Sequence, residues 1–267
     1  MNRLAIVTLT VGLAGCSSGV SKSNPYWFFN SKPHAKTLLA DSTPRGFDWI
    51  VKEYDGFTIY YERDNAYAAQ TVDDLAQYVA RWIARSVALV GADRYPPRLH
   101  YFLVGSRQRM RELIGVEVNG AANVANVVTG VYSNEIKGVG VHELHHCIVN
   151  TLWGYKGVTQ GLHEGFAVYA DEIVRSQSLH AQAKHLRDQG RLPSAGMLLK
   201  DFRFDDASYI GMGSFVKFLY ETDGMKRFKR LWQDKGHDVD HVYGRTLDRL
   251  EQEWWKVLDA QNTAQVK

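Results

Sequence analysis

Residues 140–150, GVHELHHCIVN, place three histidines and a glutamate within five consecutive positions. In a helix, His142 and His146 stand at i and i+4, about 40° apart around the axis and one turn up, so both imidazoles can converge on one ion. Glu143, about 100° from His142, cannot comfortably share that coordination, yet it can reach a water bound to the ion. The HExxH pattern therefore supplies two ligands and a base. His145 lies at i+3 from His142 and could compete for the ion. Pairing His142 with His146 leaves Glu143 in the base position, which assigns His145 to a supporting or packing role. A five-residue pattern with two open positions also arises by chance, and a histidine on an apolar helix is commonly a satisfied core residue.

A second stretch separates these readings. GLHEGFAVYADE, residues 161–172, begins 15 positions after His146. If the first helix ends near Gly154 and Gly157, the chain turns there and brings a second, antiparallel helix alongside. Glu164, near its start, then faces the two histidines, and the small neighbours Gly165 and Ala167 permit close packing. Without the upstream motif, the helix dipole alone would explain a glutamate at a helix N-terminus.

Around these motifs the chain reads as α+β. FDWIVKEYDGFTIYYER holds two alternating apolar runs about Asp55-Gly56, a hairpin signal. Apolar residues over 66–90 recur at spacings of three and four, predicting a helix with one buried face. Pro96 and Pro97 introduce LHYFLV, a short strand. Ser106 and Gly115 frame a short helix as cap and stop. One strand is expected over 127–132, and helices over 161–176 and 214–220. LDRLEQEWWKVL near the C-terminus is amphipathic, with Leu247, Leu250, Trp254 and Leu258 at near-helical spacing.

The N-terminus carries a different signal. MNRLAIVTLTVGLAGC has one early positive charge at Arg3, a short apolar run and small residues ending at Cys16, the layout of a secretory signal peptide. That run is too short to span a bilayer. Leu13-Ala14-Gly15-Cys16 resembles the bacterial lipobox, which implies cleavage after residue 15 and lipidation of Cys16. Ser17, where an inner-membrane retention signal favours Asp, points to the outer membrane. Residues 17–45 carry three of the six prolines with many Ser, Lys and Asn, and read as a tether. Lipidation of Cys16 leaves Cys147 as the one thiol, which precludes an intrachain disulfide; Cys147 is read as a small core residue. Cleavage removes Arg3 and no acidic residue, lowering the formal charge from +3 to +2. That balance does not suggest nucleic acid, and acyl chains would supply the membrane attachment.

HELHH at 142–146, HEGFAVY at 163–169 and YIGMGSFVKFLYETDG at 209–224 together resemble the gluzincin metallopeptidases. The resemblance is closest to the peptidase MA-like group of bacterial surface and periplasmic proteins, and it covers about residues 45–258. It implies a zincin-like catalytic domain over 46–258, with a small mixed sheet, an HExxH active-site helix and a helical C-terminal part. The expected division is a signal peptide over 1–15, a lipidated tether over 16–45, an α/β lobe over 46–140, a helical lobe over 141–258 and a tail over 259–267. The resemblance makes His142, His146 and Glu164 ligands of Zn²⁺, Glu143 the general base and Tyr209 a donor to the oxyanion. It also implies a sheet-edge strand that aligns an extended peptide, for which 127–132 is the candidate.

Departures from the aminopeptidase branch are informative. The gap between His146 and Glu164 is 17 residues, one shorter than in that branch, and no GxMEN-like motif is present. Endopeptidase activity on a peptide or protein substrate is therefore favoured. His163 stands where that branch commonly has asparagine; it could act as a donor supporting the ligands, but is read as exposed. Two alternatives stay open: a lipid-anchored binding or scaffold protein with a structural zinc site, and an amidase acting on peptidoglycan stem peptides.

Overall fold

The computed structural model describes residues 46–123, 126–172, 178–234, 236 and 238–261. The signal peptide, the tether with Cys16, residues 262–267 and the expected helix end at Ser176 lie outside the described residues.

The fold is α+β, with a small mixed five-stranded sheet and mostly helical remainder. Strands β1 (Trp49–Tyr54) and β2 (Phe57–Glu62) form the expected hairpin, closed by the pair Tyr54 and Phe57. Gly56 takes φ 77°, the left-handed conformation that such a turn requires and that glycine adopts without a Cβ clash. Helix α1 (Ala66–Leu89) follows, capped by Asn65, whose side chain accepts from the Ala68 N–H. The Asn65 amide also donates to the Tyr132 carbonyl, tying the start of α1 to the end of the sheet.

Strand β3 (Leu99–Val104) pairs parallel with β2, and α2 (Arg107–Ile114) runs between its Ser106 cap and the left-handed Gly115. Strands β4 (Gly120–Asn123) and β5 (Val127–Val131) complete the sheet in the order β1-β2-β3-β5-β4. β5 is parallel to β3 and antiparallel to β4. The expectation that residues 127–132 form an edge is therefore overturned: β5 is flanked on both sides and fully buried, and β4 is the edge on that side of the sheet.

Alternation places Phe57, Ile59, Tyr61, Leu99, Tyr101 and Leu103 on one sheet face, and Phe102, Val104, Val127 and Val131 on the other. The second face packs on Met110, Leu113 and Ile114 of α2, a small satellite core. The first joins a core that continues through every later layer to Leu258.

Those layers are α3 (Val141–Trp153), α4 (Gln160–Glu172), α5 (Leu179–Asp188), α6 (Ala195–Lys200), α7 (Asp206–Asp223), α8 (Met225–Gln233), α9 (Val239–Tyr243) and α10 (Leu247–Asp259). α4 is buried continuously from Gly161 to Asp171, the pattern of a helix enclosed on all sides. It lies between α3 and α7. Close approach is possible because a Cβ on Gly165 would meet Met212 Cγ at 2.6 Å and the Met212 carbonyl oxygen at 2.9 Å. α7 extends well beyond the expected 214–220, starting at the Asp205 cap whose carboxylate accepts from the Ser208 N–H. Its glycines, Gly211 and Gly213, depress helix propensity and concealed that first half in the sequence.

Candidate metal centre

The HELHH segment lies in the first turns of α3 and distributes its side chains over different neighbours. His142 and His146 face α4, where Glu164 meets them. Glu164 Oε2 lies 3.1 Å from His142 Nε2 and 3.6 Å from His146 Nε2, and the two Nε2 atoms are 3.2 Å apart. These three residues form a group whose donor atoms could hold a metal ion.

The donor set fits such an ion on two counts. Tetrahedral ligands with bonds of about 2.0–2.1 Å stand about 3.3–3.4 Å apart, and the three separations bracket that value. Two imidazole nitrogens and a carboxylate oxygen are also the donor types that zinc takes, and without an ion the same contacts are held by imidazole N–H hydrogen bonds. The electrostatics agree. Burial would by itself depress the His142 pKa, yet the Glu164 hydrogen bond and the charges of Glu143, Glu164 and Asp171 raise it to about 9. Burial would raise that of Glu164, yet His146 and His142 hold it well below the ordinary carboxylate range. The cluster thus favours positive charge at its centre and an ionised Glu164.

The site is open on one side. The His142 side chain is 22% exposed, against 5% for His146 and 10% for Glu164. The Glu143 side chain lies beside the edge strand β4. A side chain beginning at Gly120 would start 3.2 Å from Glu143 Cγ and 3.5 Å from its Oε1. Glycine at that position of β4 leaves room for the Gly138 carbonyl oxygen, which a Cβ would meet at 2.8 Å, and for the Glu143 side chain beside it. Tyr209, in the first turn of α7, lies with its ring 6.3 Å from that of His142. The structure therefore brings together His142, Glu143, His146, Glu164 and Tyr209.

His145 takes the packing role. It is fully buried, its ring edge-on to Phe166 at 4.4 Å, and burial beside His146 and His142 holds its pKa well below 6.5. Cys147 is buried with its thiol towards the Asn123 carbonyl, and burial pushes its pKa up to about 12, which removes it as a nucleophile.

The exposed reading of His163 is overturned. His163 is buried, stacked at 4.0 Å and 10° on the His146 ring, with its Nε2 3.0 Å from Asn150 Oδ1. Asn150 is four residues beyond His146, so His142, His146 and Asn150 make one stripe of α3 facing residues 163 and 164 of α4. That period-four stripe was visible in the sequence, but Asn150 was not taken as part of it. Buried Asp171 was also missed; it lies close to Gly140 at the start of α3, and its charge helps to raise the His142 pKa.

No protein-family model and no curated protein sequence matches the chain.

Proposed function

We propose that the chain is a zinc-dependent, gluzincin-type metallopeptidase with a zincin-like catalytic domain, anchored by lipid at Cys16 to the bacterial outer membrane on its periplasmic side. The observation that carries this reading is the convergence of His142, His146 and Glu164 within 3.1–3.6 Å, with Glu143 next to His142 on the same helix. A structural site has no need of a base, whereas a carboxylate adjacent to the first ligand suits hydrolysis. The anchor rests on the LAGC motif, and among the described residues no helix is long and apolar enough to cross a membrane.

His142, His146 and Glu164 would hold the zinc, leaving a position towards the exposed side of His142. Zinc bound there supplies Lewis-acid polarisation of the scissile carbonyl and lowers the pKa of water from about 15.7 towards 7. Glu143 takes a proton on its carboxylate during attack and returns it to the leaving amine. Tyr209, beside His142, donates its hydroxyl to the developing oxyanion. β4, the edge next to Glu143, aligns the extended substrate through its backbone.

Metal analysis and hydrolysis of quenched peptides test the reading. Glu143→Gln retains stoichiometric zinc and loses about 100- to 10,000-fold in kcat, whereas Glu164→Ala loses tight zinc binding. Zinc without Glu143-dependent hydrolysis would leave a structural site; unchanged zinc affinity in Glu164→Ala would remove the third ligand.

A further inference from the structure

Helix α8 divides its residues between two faces. Phe228, Leu231 and Trp232 are buried, and Trp232 Nε1 donates to the Gly154 carbonyl. The outer face carries Lys226, Arg227, Lys229 and Arg230, and MKRFKRLWQ holds no acidic residue. Arg227 pairs with Asp223, and the Lys229 ammonium stands 5.5 Å from the centre of the Trp153 ring. Lys226 and Arg230 are exposed, and among the described residues neither is ion-paired to a carboxylate.

This arrangement costs the helix stability. Lys226 and Arg227 stand in the first turn, at the positive end of the helix dipole, and Lys226 and Arg230 repel each other at i and i+4. Other surface cations are paired, as Lys52 is with Asp73, Arg63 with Asp48 and Arg111 with Glu117. The nearly balanced total charge thus conceals one concentrated basic face, which folding alone does not explain. From the opening at His142, ring contacts run through His146 and His163 to Trp232, at 4.8, 4.0 and 5.8 Å, so α8 lies behind the site. α3 and α7 likewise run from the site towards α8, rising about 16 Å from His142 to Trp153 and about 21 Å from Tyr209 to Asp223.

We infer that the basic face of α8 rests on the anionic phospholipid surface of the membrane to which Cys16 is anchored, and so turns the opening at His142 towards the aqueous phase. This rests on the anchor reading and not on the peptidase reading. Residues 16–45 span at most about 100 Å, more than the width of a domain of this size, so the length of chain lets any face reach the bilayer. One convex helix face suits an extended plane of negative charge better than a single bound anion. Each lysine or arginine held near such a surface raises affinity about fivefold. The acyl chains retain the protein, and α8 orients it.

The test uses the full chain with Cys16→Ser, which removes the acyl chains, and vesicles of phosphatidylcholine with or without phosphatidylglycerol. At low salt the phosphatidylglycerol vesicles bind at least about tenfold more tightly, and raised salt removes the difference. Lys226→Gln with Arg230→Gln weakens that binding about 30-fold, whereas Lys226→Arg with Arg230→Lys retains it. Arg111→Gln with Arg203→Gln, an equal loss of charge at other exposed sites, changes it less than about threefold. In the acylated chain, bimane on Gln233→Cys is quenched by doxyl-labelled phospholipid, and bimane on Asp206→Cys, in the first turn of α7, is not; Cys147 is buried and takes no label. No preference for phosphatidylglycerol, or an equal loss in the Arg111 and Arg203 variant, overturns the inference alone. So does an α8-dependent complex with polyglutamate that is tighter than the one with vesicles, which assigns the face to an acidic protein. Equal quenching at both positions overturns the orientation. Mass spectrometry showing an unacylated Cys16 in the wild-type chain overturns the anchor reading and the inference with it.

Discussion

His163 shows how a residue one position from a ligand can act through another. Successive helical positions point about 100° apart, so Glu164 reaches the donor cluster while His163 lies flat against the His146 ring. Burial holds the His163 pKa well below 6.5, so a neutral ring is stacked on a ligand that must itself be neutral to bind metal. Its bond with Asn150 fixes the plane of that ring, and the stack fixes His146. Supporting partners of this kind commonly control metal affinity by about 10- to 100-fold. His163→Ala is expected to weaken zinc binding by that factor in a chelator competition, with helix content in far-UV circular dichroism retained. His163→Phe keeps a flat ring and loses the Asn150 bond, and should recover most of the affinity. Equal losses in both variants would assign the effect to the hydrogen bond instead of the stack.

At the scale of elements, α4 carries Glu164 in a helix closed in by α3 and α7, so the ligand's position depends on packing behind it. Gly165 sets that packing: the contact at 2.9 Å is to a backbone oxygen of Met212, which cannot swing aside as a side chain end would. Gly165→Ala should cost about 1–3 kcal/mol in urea unfolding and weaken zinc binding by shifting Glu164. A stability loss with unaltered affinity would show that α7 moves and α4 does not. The small residues beside Glu164 were readable as a packing signal, although Gly165 serves the helix behind the site, not the ion. Elements with strong local signals were equally legible: the hairpin from Asp55-Gly56, α1 from its apolar period, α2 from its Ser and Gly bounds. β4 was not, because Gly-Ala-Ala-Asn has low strand propensity and is a strand only through pairing with β5. The edge role that the resemblance implied for 127–132 therefore falls to β4. Helices α5, α6, α8 and α9 also escaped notice; α6 and α9, at 6 and 5 residues, are too short for a sustained period and depend on tertiary contacts.

Across the whole molecule, the continuous core from Phe57 to Leu258 puts polar groups in places where protonation is costly. His180 of α5, Ser214 of α7 and Trp254 of α10 meet there: Ser214 Oγ lies 2.8 Å from His180 Nδ1 and accepts from Trp254 Nε1 at 3.0 Å. Ser214 is fully buried, so this Ser–His pair is closed to substrate and serves to join three helices. Burial, and secondarily Lys217, lowers the His180 pKa to about 4, below the value near 6.5 of an unfolded chain. Between those values the unfolded state binds the additional proton, so stability rises with pH. The contribution is complete above about pH 6.5 and is lost as pH falls towards 4, amounting to about 2 kcal/mol between pH 7.5 and 5. Buried His145 and His163, with pKa values lowered by burial, act in the same direction. Urea unfolding with a zinc chelator present at both pH values isolates this effect from metal release. His180→Gln is expected to lose about 2 kcal/mol less than wild type over that interval, and the comparison between the two proteins cancels the opposite contribution of His142, whose raised pKa favours the folded state as pH falls. The same pH dependence in both proteins would mean that His180 keeps an ordinary pKa and that the three-helix junction opens to water before the fold is lost.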